Sequence, residues 1–286
     1  MMRVETLYNS SNVLGESPYW HANRQSLFWV DIEEGLLQEL NWLTREVKIW
    51  HINRRVSLIV EGGDDRLILA VQGGLVNLDL KTNELVWLTD IENDIQDRRC
   101  NDGGLDANGR LWIGVMDIHC KVGQGSLYRL DEFTGVPKKM IEGLTIPNGL
   151  VWSQDGDRMY FIDTVSGAVK SYLFNLTNGT ITYEKDAVTI PTDMGMPDGM
   201  AIDKQGMLWV ALYGGYAISQ WDPTDGKLLD LIKLPVPNIT NCCFAGEQLD
   251  HLVVTSAKEN LPPQQLIDYP ESGNLFIIYD ADATQS

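Results

Sequence analysis

The sequence predicts an all-β fold, a six-bladed β-propeller. Three observations carry that expectation. A segment of about 45 residues recurs along the chain, which is a repeat-architecture period. Each copy alternates short β-branched and aromatic runs with polar turns. Helical periodicity is nearly absent. Units of short antiparallel strands repeated six times close naturally into a propeller. A pair of plain β-sandwiches, the alternative, has no reason to repeat at this length.

The copies run in order. The first reads "GESPYWHANRQSLFWVD", with Glu16 eight positions before Arg24 in the polar turn "HANRQ". The second, "SLIVEGGDDRLILAV", puts Ser57 eight before Asp65. The third, "CNDGGLDANGRLWIG", puts Asn101 eight before Gly109. "IPNGLVWSQDGDRMYFID" and "MPDGMAIDKQGMLWVAL" do the same with Asn148 and Gly156, and with Asp198 and Gly206. The last, "ITNCCFAGEQLDHLVVTS", offers Thr240 or Asn241 for the same slot. The steps from Asn101 to Asn148 and on to Asp198 are 47 and 50 residues, and the 85 from Glu16 to Asn101 leave room for the second copy. Third strands follow as "GSLYRLD", "GAVKSYLF", "YAISQWD" and "GNLFIIYD". The turns carry Asp-Gly, Asn-Gly or Asp-Asp, suited to positive φ. The exception to the strand pattern is "PPQQLIDYP" near 262–270, which reads as one helical turn. No linker or low-complexity run divides the chain, so residues 1–286 are expected to form one domain.

Composition narrows the function. The chain has 286 residues, 44% of them hydrophobic, and a formal charge of −18. That charge argues against nucleic acid and against an anionic membrane surface, both of which need a basic face. It is compatible with an acidic cavity that draws in a cation. The opening "MMRVETLYNSSNVLGE" lacks an apolar signal core, and no apolar run approaches the ~20 residues of a membrane span. A cytoplasmic location is the expectation. Cys100, Cys120, Cys242 and Cys243 fit no zinc spacing and read as reduced thiols. Sequon-like triplets at Asn9, Asn175, Asn178 and Asn238 read as incidental.

In a propeller the innermost strand of each blade lines the axis, so equivalent positions converge there. The slot holds Glu16, Ser57, Asn101, Asn148, Asp198 and Thr240 or Asn241, all polar and oxygen-bearing. Carboxylates and amides buried together repel or stay unsatisfied unless something compensates them. A hard divalent cation does so, with Glu16 and Asp198 neutralising charge and Asn148 giving a neutral oxygen. Oxygen ligands favour Ca²⁺, Mg²⁺ or Mn²⁺, and Zn²⁺ also accepts such a set. A single Asn-Gly or Asp-Gly pair is usually only a turn; the joint pattern is what points to a metal. "DANGRLWIG" from Asp106 superficially resembles a calcium loop but lacks its ligand series, and reads as a hairpin turn. Zincin, nucleophile-elbow and phosphate-loop motifs are absent. Of the four histidines, His119 alone is kept as a candidate, because "MDIHC" follows an inner strand and could reach the channel mouth. Trp20, Trp152 and Trp209 read as core rather than as a ligand-stacking platform.

Together "GESPYW", "RRCNDGGLDANGRLWIGVM", "IPNGLVWSQDGDRMYFID", "MPDGMAID", "LPVPNITNCCFAG" and "ENLPPQQLIDYPESGNLFIIYD" give a specific likeness. The sequence resembles the family of senescence marker protein (regucalcin), gluconolactonase and luciferin-regenerating enzyme, from about residue 13 to 280. The resemblance implies a six-bladed propeller with one catalytic divalent metal on its axis, calcium first. It implies Glu16, Asn148 and Asp198 as metal ligands, Asp198 doubling as general base, and Arg99 and Asn101 as substrate-positioning groups. His119 joins them as a candidate substrate contact. The substrate class it implies is a sugar lactone, opened to the aldonic acid. The chain departs in two places: "GVM" at 114–116 where "GTM" is usual, and Asp117, Ile118, His119 where lactone-cleaving relatives often carry a Glu.

The residues then suggest metal-assisted lactone hydrolysis, with Asp198 taking a proton from water and Arg99 stabilising the oxyanion or fixing a hydroxyl. A salt bridge from Arg99 to Asp97 or Asp102 is its purely structural reading. Three other functions stay open: a non-catalytic calcium-binding regulator, a hydrolase for another ester or lactone, and a protein-docking scaffold. A monomer or weak homo-oligomer is expected.

Overall fold

The computed structural model describes residues 3–281. It contains six four-stranded antiparallel sheets arranged as a β-propeller. Blade 1 comprises Gly15–His21, Ser26–Asp31, Leu36–Asn41 and Val47–His51. The innermost strands of blades 2 to 6 are Val56–Gly63, Arg98–Leu105, Pro147–Trp152, Met196–Ile202 and Ile239–Ala245. Each packs against the innermost strand of the next blade, and the ring closes between blades 6 and 1.

The closure was not read from the sequence. Blade 6 holds Ile239–Ala245, His251–Ser256 and Leu275–Tyr279, and its outermost strand is the N-terminal Arg3–Tyr8. The pairing Arg3↔Tyr279 to Tyr8↔Leu275 ties the two ends of the propeller together. The helical turn expected near 262–270 is a helix at Pro263–Asp268, between the second and third strands of that blade.

Six apolar clusters hold the fold, one in each interface between neighbouring blades. Phe28, Val30 and Leu37 of blade 1 meet Ile59, Leu67 and Leu69 of blade 2. The pattern repeats around the ring to Leu27 and Trp29 against Val253 and Leu275, where blade 6 meets blade 1. Alternate side chains of a strand point to opposite faces. Both faces are covered here. In Leu208–Tyr213, Leu208, Val210 and Leu212 pack toward blade 4, while Trp209 and Ala211 pack toward blade 6. Hence the runs such as "LWVAL" are apolar throughout rather than alternating. Burying a large aliphatic side chain is worth about 1.5–3 kcal/mol, so each interface clamps its pair of blades and the inner strands cannot drift from the axis. Trp209 is fully buried, and Trp20 and Trp152 pack against clusters, as expected of core residues.

Candidate functional site

The slot residues lie within the opening residues of each innermost strand, so all come from one end of the propeller. A register shift interrupts every one of these strands at the slot: Glu16/Tyr19, Val56/Leu58, Cys100/Gly103, Asn148/Leu150, Pro197/Met200 and Ile239/Cys242. A β-bulge re-aims a side chain out of the sheet alternation. In blades 1, 3, 4 and 5 the slot residues Glu16, Asn101, Asn148 and Asp198 line one cavity.

The slot "NG" and "DG" pairs are not the turns that a single such pair usually marks. Asn148-Gly149 and Asp198-Gly199 lie inside strands, and neither glycine has the positive φ of Gly156 or Gly206. Their glycines are required by close approach. A Cβ on Gly149 would sit 2.8 Å from the Asp198 carbonyl oxygen, and one on Gly199 would sit 2.1 Å from the side chain of Asn241.

Glu16, Arg99, Asn101, Asn148 and Asp198 line one cavity of about 260 Å³. All five are buried. Glu16 Oε2 accepts from the Ser17 amide at 2.9 Å and from Asn241 Nδ2 at 2.9 Å. Asn101 Nδ2 donates to the Pro147 carbonyl at 2.8 Å, and its Oδ1 accepts from Arg99 Nη1 at 2.5 Å. Arg99 Nη1 also donates to the Cys100 carbonyl at 3.0 Å. Among the described residues Arg99 forms no ion pair with Asp97 or Asp102. Asp97 faces Lys121, and the neighbouring Arg98 takes Glu92 and Asp117. Thus Arg99 keeps most of its donors for the cavity.

Burial and mutual repulsion dominate the electrostatics of the acids, and the nearby Arg99 offsets them only in part. Burial, then the Asp102 charge, pushes the Glu16 carboxyl far above its usual range. Burial, then the charges of Glu16 and Asp102, pushes Asp198 well up also. Asn148 donates Nδ2 to Thr164 Oγ1 at 3.1 Å, which orients its amide, while the buried Oδ1 has no partner. Two mutually repelling carboxylates and one orphaned amide oxygen, all in one cavity, fit a hard divalent cation. Among the described residues no other group satisfies that oxygen. A second grouping, Asp250, His251 and Asp280, is not part of this cavity.

His119 is not brought to the site. It is exposed, in a turn where His119 N donates to Asp117 Oδ1 and Cys120 N to the Asp117 carbonyl, both at 2.9 Å. Left-handed backbone at Cys120, φ 53°, brings Cys120 rather than His119 to the cavity wall.

Several residues in or beside the cavity escaped the sequence reading; Asp102 and Asn241 lie beside it and line a neighbouring cavity. Asp102 follows the slot residue Asn101, and the bulge lets both lie near the axis. Its carboxyl, raised by burial, accepts from Asn241 Nδ2 at 3.4 Å. The open choice in blade 6 is thereby decided. Asn241 bridges Glu16 and Asp102, whereas Thr240 Oγ1 donates to the Gly15 carbonyl at 2.6 Å. Tyr213, Glu259 and Asn260 form one part of the wall, and Leu14, Ile32, Met116, Ile146 and Met196 form its apolar part. Ser57 is buried with no partner for its Oγ and does not line the cavity. All four cysteines are free thiols. Among the described residues no helix is long and apolar enough to cross a membrane.

Comparisons with known proteins give the family and the fold. Residues 14–258 match the family model described as the SMP-30/Gluconolactonase/LRE-like region. Regucalcin of Macaca fascicularis is 33% identical over 282 residues, covering 97% of this chain and 94% of its own. The Bacillus subtilis protein named "Putative sugar lactone lactonase YvrE" is 32% identical over 270 residues, covering 92% of this chain and 90% of its own. The crystal structure of a calcium-binding protein, regucalcin, from Agrobacterium tumefaciens superposes with a TM-score of 0.91 at 28% identity, covering 97% of this chain and 93% of that one.

Proposed function

Given that the chain belongs to the SMP-30/gluconolactonase/LRE-like family, we propose that it is a divalent-cation-dependent lactonase that opens a sugar lactone to the aldonic acid. The observation that carries the reading is the axial set itself: Glu16 and Asp198, raised by burial and mutual charge, beside the orphaned Oδ1 of Asn148. These three residues would hold the cation, which when bound supplies positive charge that polarises a carbonyl and acidifies water.

The rest is work for the chain's own groups. Asp198 accepts the proton released as water attacks the lactone carbonyl. Its buried position keeps that carboxylate away from bulk water. Arg99, anchored through Nη1 on Asn101 and the Cys100 carbonyl, presents its remaining donors to the carbonyl oxygen as charge builds there. Asn101 fixes the guanidinium and is itself fixed by the Pro147 carbonyl. The ring oxygen leaves as an alkoxide and takes a proton, so no covalent intermediate is required. That fits the absence of a nucleophile motif in the sequence. Calcium is a cation favoured by oxygen ligands, and the Agrobacterium relative is a calcium-binding protein.

The test is proton release from a panel of aldonolactones by chelator-stripped protein, with Ca²⁺, Mg²⁺, Mn²⁺ or Zn²⁺ restored in turn. Turnover restored by a cation and lost in Asp198→Ala supports the lactonase and ranks the metals. Tight cation binding with no turnover of any lactone overturns it in favour of a calcium-binding regulator or a hydrolase for another ester.

A further inference from the structure

The loop after Met116 brings the thiol of Cys120 to the cavity and leaves His119 in solvent. A thiol is only a weak acceptor for a sugar hydroxyl. Across the chain sequence, in the loop that follows the second strand of blade 6, Glu259 lines the same cavity. Its backbone is clamped on three sides. Glu259 N donates to the Val13 carbonyl at 2.9 Å, and Glu259 O accepts from Tyr213 Oη at 3.0 Å and Asn238 Nδ2 at 2.9 Å. Asn260 Nδ2 donates to the same Tyr213 oxygen at 3.2 Å.

The side chain contrasts with this rigid base. Among the described residues the Glu259 carboxylate has no hydrogen-bond or ion-pair partner, although it is only partly exposed. Of the charges acting on Arg99 it is the strongest, yet the two do not meet. A fixed cation and a fixed, unpaired acceptor thus face one cavity with a gap between them. A partly buried carboxylate without a partner is costly, and a ligand hydroxyl relieves that cost with a charge-assisted bond.

We propose that Glu259 is the hydroxyl-reading residue of this site, accepting hydrogen bonds from substrate hydroxyls remote from the ester and so selecting polyhydroxylated lactones. This rests on the lactonase reading of the axial residues. The selection works because a site built to bond hydroxyls rejects an analogue that lacks them.

The experiment compares kcat/KM for D-glucono-δ-lactone and for δ-valerolactone, which has the same ring and ester and no hydroxyl. The ratio of the two is measured with the cation-loaded full chain, with Glu259→Ala and with Glu259→Gln. A hydrogen bond to a charged group is worth enough to lower that ratio about tenfold or more in the alanine variant. Glutamine keeps an oxygen acceptor and should lower it less, and it carries the test if the alanine variant does not fold. An unchanged ratio in both variants overturns the proposal. Calorimetric binding of the unreactive polyol D-glucitol gives a readout independent of turnover. If the wild type opens neither lactone, the lactonase reading fails, and polyol binding alone decides this one. Weaker binding by Glu259→Ala sustains the role of Glu259, and equal binding overturns it.

Discussion

Asp198 and Asp203 are the same residue type five positions apart in one repeat unit, and the structure treats them oppositely. Asp203, at the turn end of the strand, is saturated. Its Oδ1 accepts from the amides of Gln205 at 3.0 Å and Met207 at 2.8 Å, and its Oδ2 from Trp209 Nε1 at 2.9 Å and Gln220 Nε2 at 2.8 Å. Asp106 repeats the device in blade 3, accepting from Arg110 Nε at 2.6 Å and Trp112 Nε1 at 3.0 Å. Asp198, at the axial end, is buried beside other acids and its carboxyl is pushed well up. Both carboxylates are buried, so burial does not separate them. What separates them is whether the fold supplies the donors. A saturated buried carboxylate is part of the scaffold; an unsaturated one is held for something that binds.

The largest expected effect breaks the axial member. Asp198→Asn should lower lactone turnover by about 10²–10⁴-fold, the usual worth of a positioned proton acceptor. Its metal-free stability to denaturant should not fall, because the substitution removes a repelled charge. A clear loss of metal-free stability would place Asp198 with the scaffold. The converse variant is Asp203→Ala. It strands the indole of Trp209 and two turn amides, so denaturant unfolding should show a loss of about 2–4 kcal/mol. Turnover per folded molecule should hold.

The comparison also has a pH signature. Glu16 is raised to about 8 and Asp102 to about 6, both mainly by burial. A carboxyl whose folded pKa lies above its unfolded value binds its proton more tightly when folded. Its contribution is complete below the unfolded pKa and is lost as pH rises through the folded one. Metal-free protein should therefore lose stability between about pH 4 and pH 8. Saturating cation should flatten that slope and add about 2.7 kcal/mol at a hundredfold excess over Kd. Thermal melts across pH, with and without cation, check both statements. Melts that run parallel in the two states would contradict the assignment of the cation to these acids.

How much of this was written in the sequence follows from the same contrast. The six-blade repeat was legible because the blade period imposes a spacing that turn glycines such as Gly109, Gly156 and Gly206 mark. Glu16, Asn101, Asn148 and Asp198 were legible because polar residues recur at one phase of an otherwise apolar strand. What depends on local backbone was not. A left-handed φ at Cys120 decides that Cys120 and not His119 faces the cavity. A bulge decides that Asp102 joins Asn101 near the axis. Glu259 comes from a loop whose place over the site depends on closure of blade 6 by Arg3–Tyr8, a half-exposed strand with little pattern of its own.

The smallest effects set two glycines of blade 5 against each other. A methyl on Gly206 meets nothing within 4 Å, but its φ is +83°. Gly206→Ala should therefore cost about 1–2 kcal/mol through backbone strain and leave cation affinity unchanged. Gly199 has no such strain, and its methyl would fall 2.1 Å from the Asn241 side chain. Overpacking of that kind costs about 1–3 kcal/mol, similar to the first variant. The distinction lies in what moves. Asn241 is the amide shared by Glu16 and Asp102, so displacing it should disturb Glu16, a proposed cation ligand, from behind, and support of that kind is worth about 10–100-fold in metal affinity. Cation titration of the two variants, matched in stability, should separate them: weakened binding in Gly199→Ala alone. Equal binding in both would mean that the glycines packed at the axis serve only to let the blades close, and that Asn241 does not help hold the acids in place.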